Sequence, residues 1–158
     1  MCNGHESFMT MAVNLSAERM RAGAGGPFGA VIVRDGAIIS EGHNRVTTSN
    51  DPTAHAEVVA IREACAALDT FSLDGCVIYT SCEPCPMCLS AIYWARLDAV
   101  YYANTRKDAA SIGFDDDHIY EEIPKPVDQR AIPMVHLDLQ EARDVFEEWR
   151  AKPDKVMY

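Results

Sequence analysis

The order of β-rich and helical segments constrains the fold of this chain more than any other feature of its sequence. Two β-rich runs flank Asp35-Gly36 in GAVIVRDGAIISEG, and an Asp-Gly pair between such runs is among the strongest short-range signals for a β-hairpin. Farther along the chain, CVIYTS and AVYYAN have the composition of short strands. Helical patterns precede and separate these strands. This order predicts a layered α/β domain, antiparallel at the hairpin and parallel where a helix crosses over.

The remaining segments complete this prediction. Helices are predicted from a capping-box pattern at Asn3 and Glu6 to Gly23, from TAHAE to about Leu68, over EPCPMCLSAIYWA and over QEARDVFEEWR. IPMVHLDL is predicted to be a last strand, whereas the polar stretch 104–130 has no well-specified structure. A length of 158 residues without repeats or an interdomain linker is typical of one domain.

Composition and charge argue against several classes of function. The chain contains no apolar run close to the ~20 residues that a membrane span requires. Its formal net charge is −10, and its lysines and arginines form no run, so a nucleic-acid partner is not expected. The N-terminus has neither a basic leader nor an apolar core of the kind found in signal peptides. A reducing, cytoplasmic setting is therefore expected.

A histidine and a carboxylate lie two residues apart where the second predicted helix begins. In the middle of a helix, the spacing of His55 and Glu57 would direct the two side chains to nearly opposite sides. From a helix end, both side chains can lean towards one point. The pair therefore indicates a site at the start of this helix.

EPCPMC contains two cysteines with the spacing of neighbouring positions on one helical face. Cys85 and Cys88 are three residues apart, and Pro84 and Pro86 favour a helix start at this place. The unpaired N–H groups of a helix start lower a thiol pKa, and the thiolate is the form that binds metal. Together with His55, these cysteines form a ligand set that suits Zn²⁺ with an open fourth position, which is the pattern of catalytic zinc. Glu57 would then move protons beside the metal.

A structural zinc site is the alternative, because Cys82 lies three residues before Cys85 and would supply a fourth ligand. The stretch from Cys82 to Cys88 is interrupted by prolines and cannot be one continuous helix, so Cys82 is free to point elsewhere. HxE followed by PCxxC favours the catalytic interpretation. For Glu57, the alternative is a solvated acid that the helix dipole favours in the first turn.

These motifs resemble those of the cytidine deaminase superfamily of zinc nucleobase deaminases, whose signature is H-x-E followed by P-C-x-x-C. Within that superfamily the chain is most similar to the small bacterial-type guanine deaminases. The matching stretches keep their order over most of the chain: GGPFGAVIV, NDPTAHAEV, YTSCEPCPMCLSAIYWA, GFDD with IYEEI, and the terminal tyrosine. The resemblance implies a three-layer α/β/α domain with a mixed five-stranded sheet. It also implies a domain-swapped homodimer in which residues of about 140–158 cross to cover the neighbour's site.

The activity that the resemblance implies is the zinc-dependent hydrolysis of guanine to xanthine and ammonia. A zinc-activated hydroxide is expected to attack C2 of the base, with Glu57 as the proton shuttle. Asn44 matches the family asparagine that hydrogen-bonds the base, and Asp116 matches a second acid near N1 and the amino group. Other matched positions are aromatic: Phe28 and Phe114 beside the base, and Tyr158 as the residue that covers the site.

Other interpretations stay open for the pocket residues and for the substrate. Asn44 is also a plausible turn residue at the end of the hairpin. Asp115, Asp116 and Asp117 also fit a solvated acidic loop, and the choice of Asp116 rests on the resemblance. Cytosine or another small aminated heterocycle is the next candidate substrate. An adenosine of tRNA ranks lower because of the charge of −10, and a non-catalytic zinc module ranks last.

Overall fold

A computed structural model describes residues 4–158 of the chain. Its elements are α1 (Gly4–Arg21), β1 (Gly29–Arg34), β2 (Ala37–His43), α2 (Val46–Ser49), α3 (Ala56–Leu68), β3 (Cys76–Cys82), α4 (Pro86–Trp94), β4 (Ala99–Asn104), α5 (Arg106–Ser111), α6 (Asp117–Glu122), a 3₁₀ turn (Val127–Gln129) and α7 (Gln140–Ala151). Asn3 of the predicted capping box lies outside the described residues. Every helix in this range is too short or too polar to traverse a lipid bilayer.

The sheet is mixed, with the strand order β2-β1-β3-β4. The predicted hairpin is confirmed: β1 and β2 are antiparallel, and Asp35 and Gly36 between them have φ angles of 51° and 77°. Strand β3 pairs with β1 in the antiparallel sense, and β4 pairs with β3 in the parallel sense. The parallel pair is joined through α4, as the sequence predicts for a helical crossover.

Helices cover both faces of the sheet. Residues Ala30 and Ile32 of β1 pack in a core with residues of α3 and α4. Their neighbours Val31 and Val33 point to the other face and pack against Ala12 of α1, as the two-residue period of a strand requires. The three-layer α/β/α arrangement is therefore confirmed.

The expectation of a fifth strand is wrong for the single chain. IPMVHLDL, residues 132–139, has an irregular backbone with no strand assigned to it. A strand needs a partner for its backbone N–H and C=O groups, and local apolar composition does not supply that partner. The side chains of this segment are also exposed, with Val135 at 80%. The sheet in the described residues therefore has four strands.

The chain divides into two compact units, the first ending at Tyr120 and the second comprising Glu121–Tyr158. The first unit contains the sheet and helices α1 to α5. The second contains the 3₁₀ turn and α7, which confirms the predicted last helix, and none of its residues is buried. Apolar side chains of α7 are exposed, including Phe146 at 76%. The second unit has no hydrophobic core of its own.

Strand β2 and helix α3 approach each other closely at a glycine. A Cβ atom on Gly42 would lie 2.6 Å from the backbone nitrogen of Ala60 and would overlap the carbonyl of Ala56. Near it, the Ser40 hydroxyl donates to the carbonyl oxygen of Ala60 at 2.7 Å. These contacts fix the first turns of α3 against the sheet, and His55 immediately precedes that helix.

Replacing Gly42 with alanine is expected to destabilise the protein, because the new methyl group meets backbone atoms that cannot move aside. We expect a loss of about 1–3 kcal/mol in the free energy of unfolding, the range typical of overpacking. Urea denaturation measures it through the midpoint at constant slope. Gly4→Ala is the control, since its Cβ would meet its nearest atom, in Phe8, at 3.8 Å. Equal midpoints for the two variants would contradict the close packing.

Candidate active site

Two helices of the first unit begin at candidate metal ligands. His55 is the N-cap residue of α3 and Cys85 that of α4, and both have extended backbone angles, with ψ of 157° and 167°. Neither side chain caps its own helix through a hydrogen bond, so both can reach outward from the helix end. Pro86 is the first residue of α4, a position that suits proline because the missing N–H has no helical partner there. Cys88 follows in the first turn of α4.

The three candidate ligands converge. Nδ1 of His55 lies 3.5 Å from Sγ of Cys85 and 3.5 Å from Sγ of Cys88, and all three atoms lie within 4.8 Å of one another. Tetrahedral zinc with ordinary bond lengths places a nitrogen and a sulfur ligand about 3.5 Å apart. The His55, Cys85 and Cys88 side chains therefore fit one zinc ion.

The electrostatics of the two sulfurs also suit a metal. Hydrogen bonds from Cys88 and His55 outweigh burial and lower the pKa of the Cys85 thiol to about 4. The hydrogen bond with Cys85 and burial raise the pKa of Cys88, so the sulfur pair retains one proton. A thiolate is thus present at neutral pH, and metal binding would release the second proton.

Cys82 stands apart from this ligand group. Its thiol donates to the carbonyl oxygen of Thr105 at 3.7 Å. Burial, reinforced by the carboxyl groups of Glu57 and Asp116, raises its pKa to about 11, so Cys82 stays a neutral thiol. The three-ligand group in residues 4–158 does not include it. The structure does not support the alternative of a His-Cys₃ structural site.

The Glu57 carboxyl group is buried beside the ligands. Glu57 lies in the first turn of α3, and only 6% of it is exposed. Burial raises the pKa of its carboxyl group, which brings its proton exchange closer to neutral pH. The alternative of a solvated first-turn acid is wrong, because this side chain faces a cavity with His55 and Cys85.

That cavity has a volume of about 460 Å³ and lies within the first unit, a size in the range of small-molecule sites. Asn44 lines it and is buried. The amide oxygen of Asn44 accepts from the backbone N–H groups of Gly26 at 3.3 Å and Val46 at 3.2 Å. These two donors identify the oxygen, so the amide nitrogen of Asn44 is the group available to a ligand. Asn44 therefore stabilises the hairpin end and also offers a donor to the cavity.

Asp116 supplies a second carboxyl group to the wall of the cavity. Its Oδ1 atom is buried without a hydrogen-bond partner, and burial raises the pKa of this carboxyl. A buried oxygen without a donor is costly in a folded protein. Asp115 also lines the cavity, whereas Asp117 forms an ion pair with Arg106 at 3.8 Å. The unpaired buried atom distinguishes the Asp116 carboxyl group from those of Asp115 and Asp117.

The aromatic candidates are distributed differently. The Phe28 and Phe114 rings meet edge to face, with centroids 4.7 Å apart at 85°, and both line the cavity. Because the two rings contact each other, we call them the aromatic wall of the cavity. Tyr158 belongs to the second unit and is exposed. It is not among the residues that line this cavity.

Glu83 is a lining residue that sequence reasoning missed. Its Oε2 atom accepts from the backbone N–H of Arg106 at 2.9 Å. The available signal was a carboxylate two residues before a metal-binding cysteine, in EPCPMC. From the sequence alone, Glu83 is indistinguishable from an exposed acidic loop residue, because its hydrogen bond with the backbone N–H of Arg106 is not encoded locally.

An imidazole and two thiol sulfurs beside a buried carboxyl group, on a three-layer α/β/α domain, are typical of a catalytic zinc enzyme. Residues 2–104 match the cytidine and deoxycytidylate deaminase zinc-binding region. The chain therefore belongs to the cytidine and deoxycytidylate deaminase family.

Similarity to individual deaminases extends over nearly the whole chain. Guanine deaminase of Bacillus subtilis is 60% identical over 154 residues, which cover 98% of this chain and 99% of that relative. A crystal structure of guanine deaminase from Bacillus subtilis superposes with a TM-score of 0.95, covering 98% of each chain. A tRNA-specific adenosine deaminase of Aquifex aeolicus is 34% identical over 149 residues, covering 94% of this chain and 95% of the relative. The resemblance inferred from the motifs is confirmed.

The ligand geometry predicts which cysteines retain zinc. Cys82→Ser is expected to bind one zinc per chain, because the Cys82 thiol of the parent protein donates a hydrogen bond to the carbonyl oxygen of Thr105 and is not a metal ligand. Cys85→Ser and Cys88→Ser remove thiolate ligands and are expected to lose zinc during dialysis against a mild chelator. Metal analysis of the three purified variants gives the answer. Loss of zinc from Cys82→Ser would revive the four-ligand structural site.

Proposed function

We propose that this protein catalyses the hydrolytic deamination of guanine to xanthine and ammonia. The observation that carries the proposal is the placement of three zinc ligands, the buried carboxyl group of Glu57 and the partly buried carboxyl group of Asp116 around one cavity. The 60% identity to a guanine deaminase along nearly the full length supports the choice of base. Zinc held by His55, Cys85 and Cys88 supplies Lewis-acid activation of water.

Glu57 is the proton carrier in this proposal. The reaction forms a bond from a water oxygen to C2 of guanine and breaks the bond from C2 to the exocyclic nitrogen. One proton of the water ends on ring nitrogen N3 and the other on the departing amine, which leaves as ammonia. A buried carboxyl group with a raised pKa accepts a proton and releases it again within one turnover. Glu57 is thus suited to both transfers.

Hydrogen bonding explains why guanine fits better than other bases. Its N1–H and 2-amino groups are adjacent donors, which one carboxylate can accept together, and the unpaired Oδ1 of Asp116 provides such an acceptor. The free amide nitrogen of Asn44 donates to an acceptor such as O6 of the base. The aromatic wall of Phe28 and Phe114 offers apolar contact. Cytosine does not present this paired donor edge. The net charge of −10 disfavours a tRNA substrate.

Substrate choice is tested by ammonia release from guanine, cytosine, adenine, guanosine and a tRNA anticodon stem with the zinc-loaded protein. Guanine is expected to be turned over faster than cytosine or adenine, because neither of those bases presents both complementary edges to Asp116 and Asn44. Faster release from cytosine would make the second candidate the correct one. Release from the anticodon stem alone would replace the proposal with a tRNA enzyme.

The role of Glu57 has its own test in Glu57→Gln. The amide keeps the shape of the side chain but cannot carry protons, so turnover is expected to fall at least ~10²-fold with zinc content and fold retained. Glu63→Gln on the same helix is the matched control, since Glu63 is exposed and forms only a 3.8 Å ion pair with Arg45. Steady-state kinetics and metal analysis are the measurements. Near-normal turnover in Glu57→Gln would remove Glu57 from the mechanism.

We also propose that the protein is a homodimer in which the C-terminal residues of one copy cover the active site of the other. The support is the second unit, which has no buried residue and exposes apolar side chains on α7. For these thirty-eight residues, burial of apolar surface within the unit is too small to offset the conformational entropy lost on folding. A second copy would bury these apolar groups. Tyr158 would then reach a neighbouring site.

Co-expression of two inactive variants tests this exchange. One copy carries Glu57→Gln with an intact tail, and the other keeps Glu57 but lacks residues 153–158. Each variant alone is expected to be nearly inactive while its thermal stability stays close to that of the parent. Mixed dimers are expected to regain activity, because the intact tail of the first copy covers the intact site of the second. A fully active truncation, an unfolded truncation or an absence of recovery would each contradict the exchange.

The chemistry of the ligands suggests the cellular setting. Cys85 and Cys88 bind metal only as reduced sulfurs, and a reducing compartment keeps them so. We therefore place the protein in the cytoplasm.

A further inference from the structure

The loop between α5 and α6 contributes Phe114, Asp115 and Asp116 to the cavity wall. Its conformation matters because Oδ1 of Asp116 has no hydrogen-bond partner to hold the side chain in place. The backbone carbonyl of Asp116 accepts from the N–H groups of Ile119 at 3.0 Å and Tyr120 at 3.4 Å. The direction of the Asp116 carboxyl group therefore depends on what fixes the first turn of α6.

Arg106, at the start of α5, contacts that turn in two ways. Its guanidinium carbon lies 4.6 Å from the centre of the Tyr120 ring, within the range of a cation–π interaction. Its Nε atom lies 3.8 Å from Oδ1 of Asp117. The backbone N–H of the same residue donates to Glu83. Arg106 thus joins the first turn of α6 to the loop that precedes the metal-binding cysteines.

Tyr120 makes the second connection. Its hydroxyl group donates to the carbonyl oxygen of Pro84 at 2.8 Å, and Pro84 immediately precedes the ligand Cys85. One side chain therefore contacts Arg106 with its ring and the metal-binding loop with its hydroxyl. We call Arg106 and Tyr120 the clasp.

We propose that the clasp positions Asp116 relative to the zinc ligands. Arg106 and Tyr120 are not among the residues that line the cavity, so they can affect catalysis only through a residue that does. The proposal therefore rests on the role of Asp116 in the proposed function. Arg106 is 39% exposed and its ion pair with Asp117 is long, so the clasp contributes little to global stability. Its effect is on geometry, since a displacement of about 1 Å at a reacting group lowers the rate strongly.

The test compares Arg106→Met and Tyr120→Phe with Lys107→Met, which removes a positive charge from the next, exposed position of the same helix. The substrate is whichever base of the panel above releases ammonia fastest, so the test does not depend on guanine. Both clasp variants are expected to lose roughly three- to tenfold in kcat/KM, with unchanged zinc content and melting temperature. This is the size of a partly exposed cation–π contact for Arg106→Met and of a net hydrogen bond for Tyr120→Phe. Arg106→Lys keeps a cation above the ring and is expected to recover part of the loss.

A double-mutant cycle with Asp116→Asn separates positioning from a general structural effect. If the clasp acts through Asp116, Arg106→Met lowers activity little further once the carboxylate is gone. An equal additional loss in the Asp116→Asn background would overturn the proposal, as would full activity of Arg106→Met. Full activity of Asp116→Asn would overturn it too and would remove Asp116 from the mechanism. Failure of guanine deamination itself is recognised separately, by the absence of ammonia from guanine with the parent protein.

Discussion

The convergence of two helix starts on one point is the constraint on which the site depends. His55 and Cys85 occupy equivalent N-cap positions of α3 and α4, with extended backbones and side chains that do not cap their own helices. Both helices pack on the same face of the sheet, and the glycine of β2 lets α3 approach closely. The positions of the ligands are thus set by the core. The same arrangement explains why Glu57 is buried, since it lies in the first turn of α3 and lines the cavity.

Sequence reasoning succeeded where the signal is local. The Asp-Gly turn, the helix that follows TAHAE and the proline at the start of α4 each depend on a few neighbouring residues, and the structure has all three. It failed for residues 132–139, because a strand also requires a partner that composition does not identify. The sequence pattern does not specify the structure of the stretch after β4, although Thr105 and Asp108 have the spacing of a capping box and form one in the structure.

The candidate site divides in the same way. The ligand set and Glu57 are encoded by short motifs, so they could be named before any coordinates. The unpaired oxygen of Asp116, the orientation of the Asn44 amide and the contact of Arg106 with Tyr120 arise from residues far apart in the chain. Such features depend on contacts between loops that are distant in the sequence, and local sequence patterns do not reveal those contacts. Glu83 is an example, because its partner N–H lies 23 positions away.

The second unit has a thermodynamic consequence. Residues 121–158 bury no side chain, so the free energy that orders them must come from surfaces outside that unit. With the proposed second copy as the source, association and ordering form one coupled equilibrium governed by mass action. The proposed dimer therefore implies that dilution melts α7 and uncovers the cavity while the sheet stays folded, and that specific activity depends on enzyme concentration.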